Sequence, residues 1–108
     1  IIYGLRNFIG NANKYSEKSV YITLVGDINF TKVLIEDDGK GFSKEILNKI
    51  GQPYLKNIDQ DKPGLGLGIF IGKTLLEKNY ANLKFENSKK YGGAKIEIVW
   101  KNSDLKKI

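Results

Sequence analysis

The sequence has 108 residues, 41% of them hydrophobic, which suits one domain with a real but modest core. It contains neither cysteine nor histidine, which excludes disulfides, thiolate and imidazole metal sites, histidine acid–base chemistry and any phosphohistidine within the chain. The net charge of +6 is carried by lysines spread along the chain, with Arg6 the only arginine, and this reads as a solvated surface rather than a nucleic-acid patch.

Residues 1–15 are predicted to be a helix, because Ile2, Leu5, Ile9 and Ala12 recur at helical spacing. A second stripe carries Asn7, Asn11, Lys14 and Tyr15, the two asparagines lying one turn apart. An amide can offer its oxygen to a hard cation such as Mg²⁺ and its NH₂ to a phosphate, and a lysine adds a point charge. Taken alone, the stripe reads first as the polar outer face of an amphipathic helix.

Strands are expected over 19–26, with Val20, Ile22 and Leu24 on one face, and over 30–37, with Thr31, Val33, Ile35 and Asp37 on one face. Gly26, Asp27 and Asn29 supply the turn between them. Asp37 therefore falls on an inward face, where a carboxylate needs donors. It opens Asp37-Asp38-Gly39-Lys40-Gly41, whose glycines allow a sharp turn and a close approach to a flat ligand. An aspartate on such a pocket floor can accept from an exocyclic amine like that of adenine; an acidic turn after a strand is the plainer reading.

Ser43 is a candidate N-cap for a short helix over 44–50. Residues 51–66 hold Gly51, Pro53, Pro63, Gly64 and Gly66 and read as a long loop, a length often used for lids. Gly64-Leu65-Gly66-Leu67-Gly68 leads into a helix from about Leu67 to Lys78. Such a turn exposes backbone N–H groups at a helix N-terminus and so favours an anion, or else serves as a hinge. It is neither a Walker loop, since no Gly-Lys-Ser/Thr follows, nor a Rossmann fingerprint, since no strand precedes it. Residues 82–87 and 94–100 read as a closing hairpin turning at Ser88, Lys89, Gly92 and Gly93, with Ala94, Ile96, Ile98 and Trp100 on the buried face. The expected fold class is α/β (α+β): a two-layer sandwich of a mainly antiparallel, mixed sheet with helices on one face. Residues 1–108 form one expected domain.

The order of these parts is more specific than any one of them. An Asn-rich helix, Asp-x-Gly-x-Gly, a lid, Gly-x-Gly-x-Gly and a Gly-bearing hairpin together resemble the Bergerat ATP-binding fold of histidine kinases, gyrase-like topoisomerases, Hsp90 chaperones and MutL-type repair proteins. The resemblance covers nearly the whole chain. Asn7-Phe8-Ile9-Gly10-Asn11-Ala12-Asn13-Lys14-Tyr15-Ser16 looks like the N box of sensor histidine kinases. Ile50-Gly51-Gln52-Pro53-Tyr54, the run from Gly68 to Glu77 and the ending at Trp100 are similar to the redox-responsive RegB/PrrB type.

The resemblance implies ATP and Mg²⁺ as cofactors, with Asn11 on the metal, Lys14 and Tyr15 at phosphate and adenine, and Asp37 reading the adenine amine. Gly39 and Gly41 would line the first glycine box, and Gly64, Leu65, Gly66, Leu67 and Gly68 the second. Gly93 matches the last glycine box. Asn7 stands where hydrolytic relatives carry a water-activating glutamate, and an amide cannot act as a general base. The site is thus expected to hold ATP for transfer, with Asn7 and Lys14 as its catalytic residues.

The sequence also departs from the family. The lid, about 55–63, is short and lacks arginine, so Lys56 or Lys62 would have to meet the γ-phosphate. Ala94 sits where many relatives carry Thr or Ser. The family implies a histidine-bearing dimerisation domain of the same kinase and a response regulator as partners, with a homodimer only in the full-length protein. Neither nucleic acid nor membrane contact is expected of this domain. No apolar run approaches the roughly 20 residues of a membrane span, and no leader pattern is present. A cytoplasmic fragment, truncated before the N box and belonging to a membrane-bound sensor, is expected. An anti-sigma-factor-type serine kinase and a non-catalytic nucleotide-binding or scaffolding module are the alternatives.

Overall fold

The computed structural model describes residues 1–50 and 65–108. Its elements run α1 (Ile2–Tyr15), β1 (Val20–Gly26), β2 (Phe30–Asp37), α2 (Lys44–Ile50), α3 (Leu65–Lys78), β3 (Asn82–Asn87), β4 (Ala94–Lys101) and a four-residue α4 (Asn102–Leu105). The strands form one sheet in the order β1-β2-β4-β3, and each described pairing is antiparallel. Helices cover one face of it, as the alternation of apolar residues requires.

The register puts Ile35 opposite Ile22 and Ile96, and Ile98 opposite Val33 and Leu83, so one face of the sheet is apolar. Phe8, Ile35, Ile69, Leu76 and Ile98 are fully buried between that face and the helices. The opposite face carries ion pairs, among them Lys32 with Glu97 at 3.1 Å and Lys95 with Glu86 at 3.4 Å.

One expectation about faces needs correction, at Ile2. Of the expected stripe on α1, Ala12 is buried and Leu5 and Ile9 pack against the core, but Ile2 is 72% exposed, and Gly4 and Phe8 are buried beside them. The contact with α3 decides this. A Cβ at Gly4 would lie 2.6 Å from Leu76 Cγ, and one at Gly72 would lie 2.7 Å from Phe8 Cε1. The two glycines let α1 and α3 pack closely with Phe8 between them. On β1, Ile22 and Leu24 share the apolar side as expected, and they are 55% and 73% exposed. β1 is an edge strand, and the described helices leave it uncovered.

The predicted Ser43 cap is present: Ile46 N–H donates to Ser43 Oγ at 3.1 Å. α4 was not apparent from the sequence. Its first residue, Asn102, donates from Nδ2 to Asp27 O and Ile28 O and from its backbone N–H to Asn29 O, fastening the β1–β2 turn to the C-terminal end of β4.

Candidate functional site

Asp37 ends β2 on the buried face and is only 3% exposed. Its Oδ1 accepts from Gly39 N–H at 2.9 Å and Ala94 N–H at 3.2 Å, and its carbonyl accepts from Gly93 N–H at 3.0 Å. Backbone donors thus satisfy one carboxylate oxygen without using a side-chain cation. Gly93 packs so closely on Asp37 that a Cβ there would overlap the carboxylate, and a Cβ on Gly39 would overlap the carbonyl of Tyr15. Gly41 has φ +78° and lies against Asn87, where an L side chain would be both strained and crowded.

Two side chains lock the loop that follows. Asn87 Oδ1 accepts from Phe42 N–H at 2.6 Å while its Nδ2 donates to Phe42 O at 3.0 Å, tying the loop to the end of β3. Asp38 Oδ1 accepts from the N–H groups of Glu17, Lys18 and Ser19 at 2.9, 3.0 and 3.2 Å, tying it to the chain just after α1. Those bonds, the one from Lys18 foremost, hold the Asp38 carboxyl below its ordinary range despite some desolvation.

These elements enclose a cavity of about 590 Å³, within the range of small-molecule pockets. Its floor is apolar, from Phe8, Ile35, Ile46, Ile69 and Ile96, with Asp37 among them. Asn11, Lys14 and Tyr15 line it from α1, and Lys40 and Gly41 from the glycine loop. Asn11 Nδ2 is buried in this wall with no hydrogen-bond partner, the one such atom among the described residues. A buried orphan donor in a pocket marks a position where a polar ligand atom would repay its desolvation. Lys14 and Tyr15 are exposed at the rim, the Lys14 ammonium 5.5 Å from the Tyr15 ring centroid.

Asn7 is not brought into this cavity. Its Nδ2 donates to Tyr3 O one turn back, at 2.8 Å. Gly39 supports Asp37 from behind rather than lining the wall. Helix α3 starts at Leu65, two residues earlier than expected, so Leu65, Gly66, Leu67 and Gly68 form its first turn instead of a loop. The first N–H groups of a helix lack intrahelical partners, and here those of Leu65, Gly66 and Leu67 are among them. Lys56, Gly64 and the expected lid at 55–63 lie outside the described residues.

Residues 2–104 match the family described as histidine kinase-, DNA gyrase B- and HSP90-like ATPase. The chain belongs to that family. Its relatives are sensor histidine kinases: RegB of Cereibacter sphaeroides is 32% identical over 93% of the chain, and QseC of Escherichia coli K12 is 27% identical over 89%. The chain spans 26% of the RegB sequence and 21% of QseC, about a quarter of these relatives. The mycobacterial sensor histidine kinase MprB has the same fold, with a TM-score of 0.71 at 24% identity over 92% of this chain and 68% of that one. The expected fold class and the ATP-binding domain type of sensor kinases are both met.

In this family member, several residues at the site were not singled out from sequence. Lys40 lines the cavity, and its place between the two glycines of the loop was a usable signal. Phe42 and Ser43 line it too, although Ser43 had been read only as a cap. Asn87 carried no signal, because its role depends on a strand pairing that brings it to a loop 45 residues earlier.

Proposed function

We propose that this chain is the catalytic domain of a sensor histidine kinase, which binds ATP with Mg²⁺ and delivers the γ-phosphoryl group to a histidine on a separate dimerisation domain. The observation that carries the reading is Asp37: one carboxylate oxygen is fixed by two backbone N–H groups, on the floor of an apolar cavity large enough for a purine. In this reading the second oxygen, which has no protein donor among the described residues, accepts from the adenine amine. Tyr15 and the apolar floor hold the ring, Gly39 N–H holds Asp37 toward it, and Gly41 lets the backbone come close.

Asn11, Lys14 and the first turn of α3 then face the phosphates. Mg²⁺ neutralises charge on the phosphate oxygens when bound, and Asn11 in the cavity wall suits it: its amide oxygen is the ligand type that Mg²⁺ takes, and its unpartnered Nδ2 can donate to a phosphate oxygen. Lys14 and Lys40, which both line the cavity, add positive charge, and the N–H groups of Leu65, Gly66 and Leu67 at the start of α3 favour an anion. No carboxylate stands one turn before Asn11 to activate water, because Asn7 occupies that place and its amide is turned to Tyr3. ATP is therefore held rather than hydrolysed. The acceptor imidazole nitrogen attacks the γ-phosphorus, the bond to the β-bridging oxygen breaks, and ADP leaves with the electron pair. The protein's contribution is positioning and charge neutralisation.

The remaining assignments follow from the same reading. Residues 1–108 act as one domain on the cytoplasmic side of the sensor, with a response regulator as final acceptor. Among the described residues no helix is long and apolar enough to cross a membrane. The test is transfer from γ-labelled ATP by the full protein that carries this chain. Acid-labile, base-stable label on a histidine is expected. Acid-stable label on a serine of a partner would replace this reading with the serine-kinase one, and binding without any transfer would leave a nucleotide-binding module.

A further inference from the structure

On the side of the sheet away from the cavity, a second carboxylate is buried. Glu36 precedes Asp37 on β2 and so points to the opposite face, yet it is only 7% exposed. Its Oε2 accepts from the Ser88 hydroxyl at 2.7 Å, and Ser88 is 3% exposed. Glu36, Asp37 and Ser88 are the buried polar side chains among the described residues. Burying a carboxylate against a single hydroxyl is costly. A solvent-facing sheet surface made only for stability would leave this position exposed or apolar.

Ser88 is the hub of the β3–β4 turn. Its Oγ accepts from Tyr91 N–H at 3.0 Å, its N–H donates to Gly93 O at 2.7 Å, and its carbonyl accepts from Gly92 N–H at 2.9 Å. The turn is also held from outside, since the Tyr91 ring stacks on Tyr21 at 3.6 Å and 7°. Tyr21 lies opposite Glu36 in the β1–β2 register. The same turn delivers two of the three backbone donors that grip Asp37, Gly93 N–H on its carbonyl and Ala94 N–H on its Oδ1, the third being Gly39 N–H on Oδ1. Glu36 thus fixes the turn, and the turn fixes its neighbour Asp37 through the sheet.

We propose that Glu36 and Ser88 are positioning residues that set base selectivity: through the β3–β4 turn they hold Asp37 in the rotamer that accepts from an adenine amine. The inference rests on the reading of Asp37 as the base-reading group. With the turn loosened, Oδ1 loses the Ala94 N–H and keeps only Gly39 N–H, and a carboxylate held by one donor pivots among orientations of which only some face the amine. A site built to bond an amine loses discrimination when that geometry relaxes, while its grip on the phosphates is unchanged.

The test is the ratio of dissociation constants for Mg-ATP and Mg-purine riboside triphosphate, which lacks the 6-amine. It is measured on the chain and on its Ser88→Ala, Glu36→Ala, Glu36→Gln and Asp37→Asn variants, with a thermal melt of each. Ser88→Ala and Glu36→Ala are expected to lower the preference for ATP by about tenfold, as loss of one well-made hydrogen bond would. Affinity for the amineless nucleotide should be held. Glu36→Gln, which keeps an acceptor for Ser88, restores most of the preference. A variant that merely lost stability would lower its melting temperature and weaken both nucleotides alike, leaving the ratio unmoved. An unmoved ratio in both alanine variants, with Asp37→Asn losing the preference, would overturn the positioning role and leave Asp37 as the base reader. An unmoved ratio in Asp37→Asn would overturn the base-reading assignment itself, and this inference with it.

Discussion

Asn7 and Asn11 share a helix face one turn apart, and their spacing alone does not separate them. The structure does: Asn11 buries an unpaired Nδ2 in the cavity wall, while Asn7 bonds back to Tyr3 O. Asn7→Ala should therefore change Mg-ADP affinity by no more than about twofold, the scale of a substitution away from a binding contact. Calorimetric titration checks this, and Asn11→Ala measured beside it should weaken binding well beyond that limit. Asp38 gives a prediction in pH. Its folded-state carboxyl is held below the ordinary value of 3.8 by the Lys18, Ser19 and Glu17 N–H groups. The stability it contributes is therefore present above that ordinary value and is lost as pH falls through the depressed one. In urea melts from neutral pH downward, the gap between the native chain and Asp38→Asn should stay constant to about pH 5 and close only in stronger acid, as that linkage requires. A gap that closed near neutrality would show that another group controls this clamp.

Each element depends on contacts that local pattern does not contain. The spacing of Ile2, Leu5, Ile9 and Ala12 locates a helix over residues 1–15, and the helix is there with Leu5, Ile9 and Ala12 at the core, but the close contact with α3 is made by Gly4 and Phe8. Which stripe turns inward is set by the partner, because Gly72 on α3 makes room for the Phe8 ring. Two glycines of these helices should then behave oppositely. Gly10 is exposed, and a Cβ there meets nothing within 4 Å. Gly10→Ala should stabilise the chain by about 0.5–1 kcal/mol, the helix-interior cost of glycine. Gly72→Ala would place a methyl 2.7 Å from Phe8 Cε1, and Phe8 is fully buried and cannot yield. A loss of about 1–3 kcal/mol is expected, as for other overpacked cores. Denaturant melts of the two variants should shift in opposite directions; a shared direction would contradict the described α1–α3 packing.

At the scale of the whole molecule, the order of parts was more legible than their contacts. The alternation in β2 and β4 places Ile35, Asp37, Ile96 and Ile98 on one face, and the register confirms it. The Asp-x-Gly-x-Gly stretch is readable because glycine and aspartate have few roles after a buried strand. What holds Asp37 was not readable. Gly93 and Ala94 reach it from 56 and 57 residues later, and Asn87 reaches the loop at Phe42 from 45 residues later, through pairings that only the closed sheet creates. The cavity is where these long-range contacts converge, so its chemistry belongs to the assembled sheet and not to one motif. The central claim is that this convergence makes an adenine-reading carboxylate. The most direct test is calorimetric titration of Mg-ADP into the chain and into Asp37→Asn, with a thermal melt showing both folded. The account predicts saturable one-to-one binding to the native chain and its loss in Asp37→Asn. Equal binding to both folded proteins would contradict it.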